Sequence, residues 1–165
     1  MAFSLRSARA SDRQAIEQLV FGVLAEHGLS GDPDGTDRDL ADVAAHYHVA
    51  GGMFDVLVDK SGSIVGTVAL ARVSAVVCEL RKMYLAPAAR GRGEGRRLLL
   101  HALSRARELG YRRVELETAS VLRAAIDLYV AHGFRPFTPD HLSPRADCGY
   151  YLDLENADGA PSPLT

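Results

Sequence analysis

Leu80-Arg-Lys-Met-Tyr-Leu-Ala-Pro-Ala-Ala-Arg-Gly-Arg-Gly-Glu-Gly-Arg-Arg-Leu98 is the stretch around which the rest of the chain is read. Its apolar, strand-like start breaks at Pro87, and a glycine-rich turn then opens a helical pattern, so it reads as strand, phosphate loop, helix. Gly91, Gly93 and Gly95 leave main-chain N–H groups uncovered by side chains. Several such groups can converge on one anion where the helix dipole also favours negative charge. Arg90, Arg92, Arg96 and Arg97 flank the turn, and guanidinium adds short, directional hydrogen bonds to phosphate. The competing reading is a turn whose glycines only let a helix pack closely on its sheet.

Two widespread phosphate motifs fail against these letters. The loop that ends in Gly-Lys-Ser/Thr is absent, and the dinucleotide fingerprint needs Gly-x-Gly-x-x-Gly where this chain has Gly-x-Gly-x-Gly. Arg90-x-x-Gly93-x-Gly95 instead resembles the acetyl-CoA pyrophosphate loop of the GNAT superfamily N-acetyltransferases, and Leu128-Tyr129-x-x-x-Gly133-Phe134 resembles that superfamily's second signature. The likeness extends over about Phe3 to Leu154, with its specific motifs between Glu79 and Phe134. It implies acetyl-CoA as cosubstrate, held by Arg90, Gly91, Arg92, Gly93, Glu94, Gly95 and Arg96. It also implies central strands that splay apart just before the loop. The pantetheine arm then pairs with the freed backbone of Met83, Tyr84 and Leu85.

Composition bounds the alternatives. With 165 residues and 47% hydrophobic content, one domain can bury a substantial core; residues 1–155 are read as that domain and 156–165, rich in small residues with two prolines, as a flexible tail. A net charge of −2 argues against a nucleic-acid partner, and the arginines between Arg90 and Arg113 suit a small anion better than a polymer. Cys78 and Cys148 form neither a disulfide framework nor a zinc pattern, and are expected as reduced thiols. No leader-like start and no run of 18 apolar residues is present, so a cytoplasmic protein without membrane association is expected.

In chain order, Phe3 to Arg9 alternates like a short strand, and Ser11-x-x-Gln14 reads as a capping box for a helix carrying Ile16, Leu19, Val20 and Val23. Thr36 is expected to cap a second helix with Leu40, Val43, Ala44 and Tyr47 on one stripe. His46 and His48 lie two apart on that helix and face different directions, so no metal is expected. Strands follow at Met53 to Asp59, Ile64 to Ala71 and Val76 to Leu85. After the loop come a helix ending at Gly110, a strand from Arg112 to Thr118 that returns parallel to Val76–Leu85, a short helix through Tyr129, and a last strand from Cys148 to Leu154. The fold class is α/β with a mixed sheet, in the order β-α-α-β-β-β-α-β-α-β.

Acetyl transfer to an amine needs a base for the ammonium and a proton donor for the departing thiolate. Glu79 stands in an apolar strand, eleven residues before Arg90, where several superfamily members have a glutamate base. The alternative is a salt bridge to Arg81 or Lys82. Tyr129 matches the tyrosine that in many members acts as general acid, a task a neutral phenol suits, although its stripe also fits a core aromatic. Where many members have an asparagine contacting the cofactor, this chain has Leu122, with Ser120 and Arg123 as nearby substitutes. By resemblance the helix of Tyr47 forms a wall of the acceptor pocket, which makes Tyr47 a candidate substrate contact, and His141 and Arg145 lie in a loop that borders the acceptor site, where a guanidinium can hold a carboxylate and His141 is a substitute base; the alternative is a solvated loop pinned by Pro139 and Pro144.

The expectation is therefore an acetyl-CoA-dependent acyltransferase acting on the primary amine of a small molecule, an amino acid or related carboxylate-bearing amine included. A protein N-terminus or lysine is the alternative acceptor, a catalytically silent acyl-CoA sensor the alternative class. A homodimer through sheet edges is compatible with the pattern.

Overall fold

The computed structural model describes residues 2–154. The expected tail at 156–165 lies outside the described residues. The strands are β1 (Ser4–Ser7), β2 (Met53–Val58), β3 (Ile64–Arg72), β4 (Val77–Leu85), β5 (Arg113–Thr118), β6 (Arg135–Phe137) and β7 (Cys148–Asp153), and the helices α1 (Arg13–Glu26), α2 (Glu94–Glu108) and α3 (Arg123–Ala131). The sheet order is β1-β2-β3-β4-β5-β7-β6, with β4 and β5 the parallel pair and all other neighbours antiparallel.

Burial on both faces explains why β2 and β3 read as nearly continuous apolar runs. Successive side chains point to opposite faces, so Val68 and Leu70 meet Leu98, Leu99 and Ala102 of α2, while Ala69 and Ala71 share a second core with Ile16, Val20 and Leu24 of α1. Each fully buried Leu or Val contributes about 2 kcal/mol of hydrophobic stabilisation.

Several local expectations are corrected. The helix expected after Thr36 is a 3₁₀ turn at Arg38–Ala41 and a π-turn at Ala44–His48. Side chains are the reason: Asp32 accepts the Thr36 N–H at 2.9 Å, and Asp37 and Asp39 turn inward toward Lys82 instead of capping a regular helix. The Ser11–Gln14 capping box gives way to Asp12, whose carboxylate accepts the Arg9 N–H at 2.7 Å and pairs with Arg6. β1 is shorter than Phe3–Arg9, and β6 adds a seventh strand, made possible because Pro136 lies on the outermost strand.

Strand β4 is irregular in two places. Between the pairs Thr67↔Tyr84 and Ala69↔Arg81 one residue of β3 faces two of β4. That bulge holds Lys82 at φ 52°, a left-handed conformation uncommon outside glycine, and the Thr67 hydroxyl donates to the Lys82 carbonyl at 2.6 Å. On the other edge of the strand, β4 and β5 pair only through Val77↔Arg113, Cys78↔Val114 and Glu79↔Glu115, after which both strands run on unpaired with each other. Among the described residues no helix is long and apolar enough to cross a membrane.

Candidate active site

The gap between the separated ends of β4 and β5 opens into a cavity of about 540 Å³, a size suited to a small ligand. Its walls come from β4 (Glu79 to Leu85), β5 (Leu116 to Thr118), α3 and the segment before β7. Met83, Tyr84 and Leu85 are on the wall, and the segment carrying them has no β5 partner.

The glycine loop stands at the rim. Gly91 and Gly93 have φ of 74° and 78°, the left-handed region that favours glycine, and a Cβ built at either would point into open space. Gly93 caps α2, and no side chain caps it. Among the described residues the N–H groups of Gly91 and Gly93 make no backbone hydrogen bond, and those of Glu94, Gly95 and Arg96 open α2, where a first turn has no intrahelical acceptor, so a polar cradle forms where the helix dipole is positive. The alternative of a packing turn fits only Gly95, whose Cβ would meet Leu128 and Leu85 at 3.6 and 3.7 Å. Arg90 does not point freely at this cradle: it donates to the Leu85 carbonyl at 2.9 and 3.1 Å and pairs with Glu26 at 2.7 Å. Arg92 lies over the Phe3 ring, 5.9 Å from its centroid, Glu94 pairs with Arg97, and Arg96 is exposed.

Tyr129 enters from α3, packed against Phe134 at 5.6 Å between ring centroids. Burial, with a smaller contribution from Tyr84, raises its hydroxyl pKa well above the ordinary phenol value. Glu79 is on the wall, and its Oε1 accepts from Arg81 Nε at 2.6 Å. The salt bridge weighed for Glu79 is therefore present, with Arg81 as partner.

Lys82 is also on the wall. Its Nζ lies 2.5 Å from Asp37 Oδ1 and 3.6 Å from Asp39 Oδ1, and Asp39 in turn accepts a short hydrogen bond from the Tyr47 hydroxyl. Arg145 closes the network with two parallel bonds of 2.7 Å to Asp37. Burial would raise the Asp37 pKa, but the hydrogen bonds from Arg145 and Lys82 outweigh it and hold the carboxyl well below its usual range. This chain of charges joins the 32–39 segment, the β4 bulge and the loop before β7 along one side of the cavity. Local sequence patterns missed it, although a lysine inside an apolar strand is a signal of a buried partner.

Three acceptor-side expectations fare differently. Tyr47 is fully buried, edge-on to Phe54 and bonded to Asp39, and stands off the cavity wall; its place is in the core. His141 is exposed and also off the wall. Arg145 lines the cavity, with the two outer nitrogens of its fork already engaged by Asp37. Leu122 lines the cavity, while Ser120, the suggested substitute, is bound to Asp147 at 2.6 Å. Glu117 of β5, not singled out from the sequence, is also on the wall, and its Oε1 accepts the Ser143 N–H at 3.0 Å.

The Acetyltransferase (GNAT) family model matches residues 23–134. The Uncharacterized N-acetyltransferase YjgM of Escherichia coli (strain K12) is 35% identical over 156 residues, spanning 92% of this chain and 90% of its own. An uncharacterized N-acetyltransferase of Schizosaccharomyces pombe is 28% identical over 145 residues, spanning 87% and 88%. Among solved structures, a GNAT-family acetyltransferase from Staphylococcus aureus superposes with a TM-score of 0.88 at 22% identity, covering 93% of this chain and all of that one. A phosphinothricin acetyltransferase from Sinorhizobium meliloti in complex with AcCoA gives 0.74 at 21% identity, covering 98% and 94%.

Proposed function

Since this chain belongs to the GNAT family of acetyltransferases, we propose that it transfers the acetyl group of acetyl-CoA to the primary amine of a small molecule inside the β4–β5 cavity. In this reading the main-chain N–H groups of residues 91 to 96 receive the pyrophosphate, with Arg92 and Arg96 adding charge at the rim. The unpaired edge of Met83 to Leu85 receives the pantetheine arm. Acetyl-CoA supplies the thioester carbonyl that the amine attacks.

Glu79 takes a proton from the acceptor's ammonium, which leaves a lone pair on nitrogen. As the C–N bond forms and the C–S bond breaks, the electron pair passes to sulfur and Tyr129 gives the thiolate its proton, while the second proton that the nitrogen must shed to become an amide returns to the tyrosine oxygen. Burial keeps the Tyr129 hydroxyl protonated at neutral pH, the state from which the step starts, while making it a weaker acid toward the thiolate.

The observation that carries the reading is the union, in one gap, of the loop amides that open α2, an unpaired strand edge and a tyrosine hydroxyl. Small size of the acceptor is supported by the Asp37–Arg145 bridge, which ties the 32–39 segment to the loop before β7 beside the cavity. Because that bridge fills the outer fork of Arg145, the acceptor's charge is recognised elsewhere, and an amino-acid carboxylate would have to compete with Asp37. Calorimetry with acetyl-CoA followed by thiol release over a panel of amines and short peptides tests the proposal. Binding with turnover of small amines supports it, binding without turnover favours a sensor, and turnover of peptides alone favours a protein acceptor.

A further inference from the structure

The cations on the cavity wall are all matched by carboxylates: Arg90 by Glu26, Arg81 by Glu79, and Lys82 and Arg145 by Asp37. Glu115, the neighbour on β5, is matched by Arg113 at 3.0 Å. Glu117 is different. Among the described residues no cation lies within salt-bridge distance of it, although it is half-buried on the wall. One of its oxygens, Oε1, is held by the Ser143 N–H, which fixes the carboxylate's orientation and leaves Oε2 without a protein donor.

The register gives this carboxylate a direction. Glu79 pairs with Glu115 across the last rung of the parallel ladder, and side chains alternate along a strand. Glu117 therefore projects to the same face as Glu79, two residues, or about 7 Å, further along β5 and past the point where the strands part. A half-buried, oriented carboxylate without a counter-cation is costly unless a cation arrives to complete it.

We infer that Glu117 is the seat of the acceptor's ammonium group, so that the enzyme selects amines that are cationic at neutral pH. This rests on the proposed acetyl transfer and assigns it a division of labour between two carboxylates. Glu117 binds the charge through Oε2, while Glu79 takes the proton. Alkyl amines are favoured over aromatic amines, which are neutral at the same pH.

Glu117→Gln removes the charge while retaining an oxygen that can accept the Ser143 N–H, so the loop stays tethered. Thiol-release kinetics with the most active panel amine are expected to show an acceptor KM raised tenfold or more, with kcat changed less than threefold and the acetyl-CoA KM unchanged. Glu117→Asp is expected to recover part of the loss. An independent arm titrates propylamine calorimetrically into enzyme saturated with CoA, where the Gln variant is expected to bind at least tenfold more weakly than wild type. An unchanged propylamine affinity and acceptor KM in the Gln variant, or a fall in kcat at constant KM, overturns the assignment. Wild-type turnover of the panel decides the proposed function separately, and the titration decides Glu117 whether or not turnover occurs.

Discussion

Tyr129 and Glu79 share one cavity; burial raises the Tyr129 hydroxyl pKa, and the Arg81 guanidinium holds Glu79 at 2.6 Å. Tyr129→Phe removes only the oxygen from a ring that packs on Phe134, so turnover is expected to fall about 10²-fold with little change in melting temperature. Thiol release and thermal unfolding on the same preparation check this, and full activity would return the residue to the core. Glu79→Gln is expected to lower turnover most at low pH, where removing the ammonium proton is hardest; an unchanged pH–rate profile would leave Glu79 as the partner of Arg81 alone. Both positions were singled out from the sequence because residue type and spacing coincide there with recognisable motifs, and both are on the cavity wall. Glu117 was not, because alternation in Arg-Val-Glu-Leu-Glu-Thr marks it only as an outward-facing strand residue. Tyr47 misled for the opposite reason: its apolar stripe does face the core, but the aspartate that satisfies its hydroxyl is brought to it by irregular backbone.

At the level of elements, the loop before α2 and the clamp around Asp37 make separable predictions. In Gly93→Val the side chain meets no protein atom at Cβ, so the folding cost is limited to about 1–2 kcal/mol for a left-handed backbone. Acetyl-CoA binding is expected to drop by far more, because the branched side chain projects into the space an anion would use; calorimetry and a melting curve distinguish the two effects. Asp37→Asn strips a counter-ion from Lys82, which sits buried in the bulge, and is expected to cost about 3 kcal/mol. The sign with pH follows from the lowered carboxyl pKa. A carboxyl whose folded pKa is depressed contributes stability above its unfolded pKa and loses it as pH falls through the folded one. The gap between wild type and variant is therefore expected to stay constant from neutral pH down to about pH 5 and to narrow below about pH 4. Urea titrations across that range measure it, and a pH-independent gap would mean that the charge of Asp37 is not what stabilises the bulge.

For the molecule as a whole, the sheet is packed between two cores and opens where β4 and β5 diverge. Close backbone approach elsewhere in the sheet is required: a Cβ at Gly52 would lie 1.9 Å from the Leu70 carbonyl oxygen. Gly52→Ala is therefore expected to destabilise the entire domain by about 2 kcal/mol or more, read as a lower urea midpoint with an unchanged slope. By itself the amino-acid sequence determined the α/β class, the parallel return of β5, the glycine-rich turn that opens α2 and the tyrosine of α3, because each is written in residues a few positions apart with a period of two or 3.6 or a short motif. Only the tertiary structure decided that Lys82 meets Asp37 across 45 positions, that Arg145 meets Asp37 across 108, and that among the described residues no cation meets Glu117 on the same cavity wall. Charge pairing over such separations has no local period, and it depends on a bulge and two irregular segments whose course is set by the contacts they make.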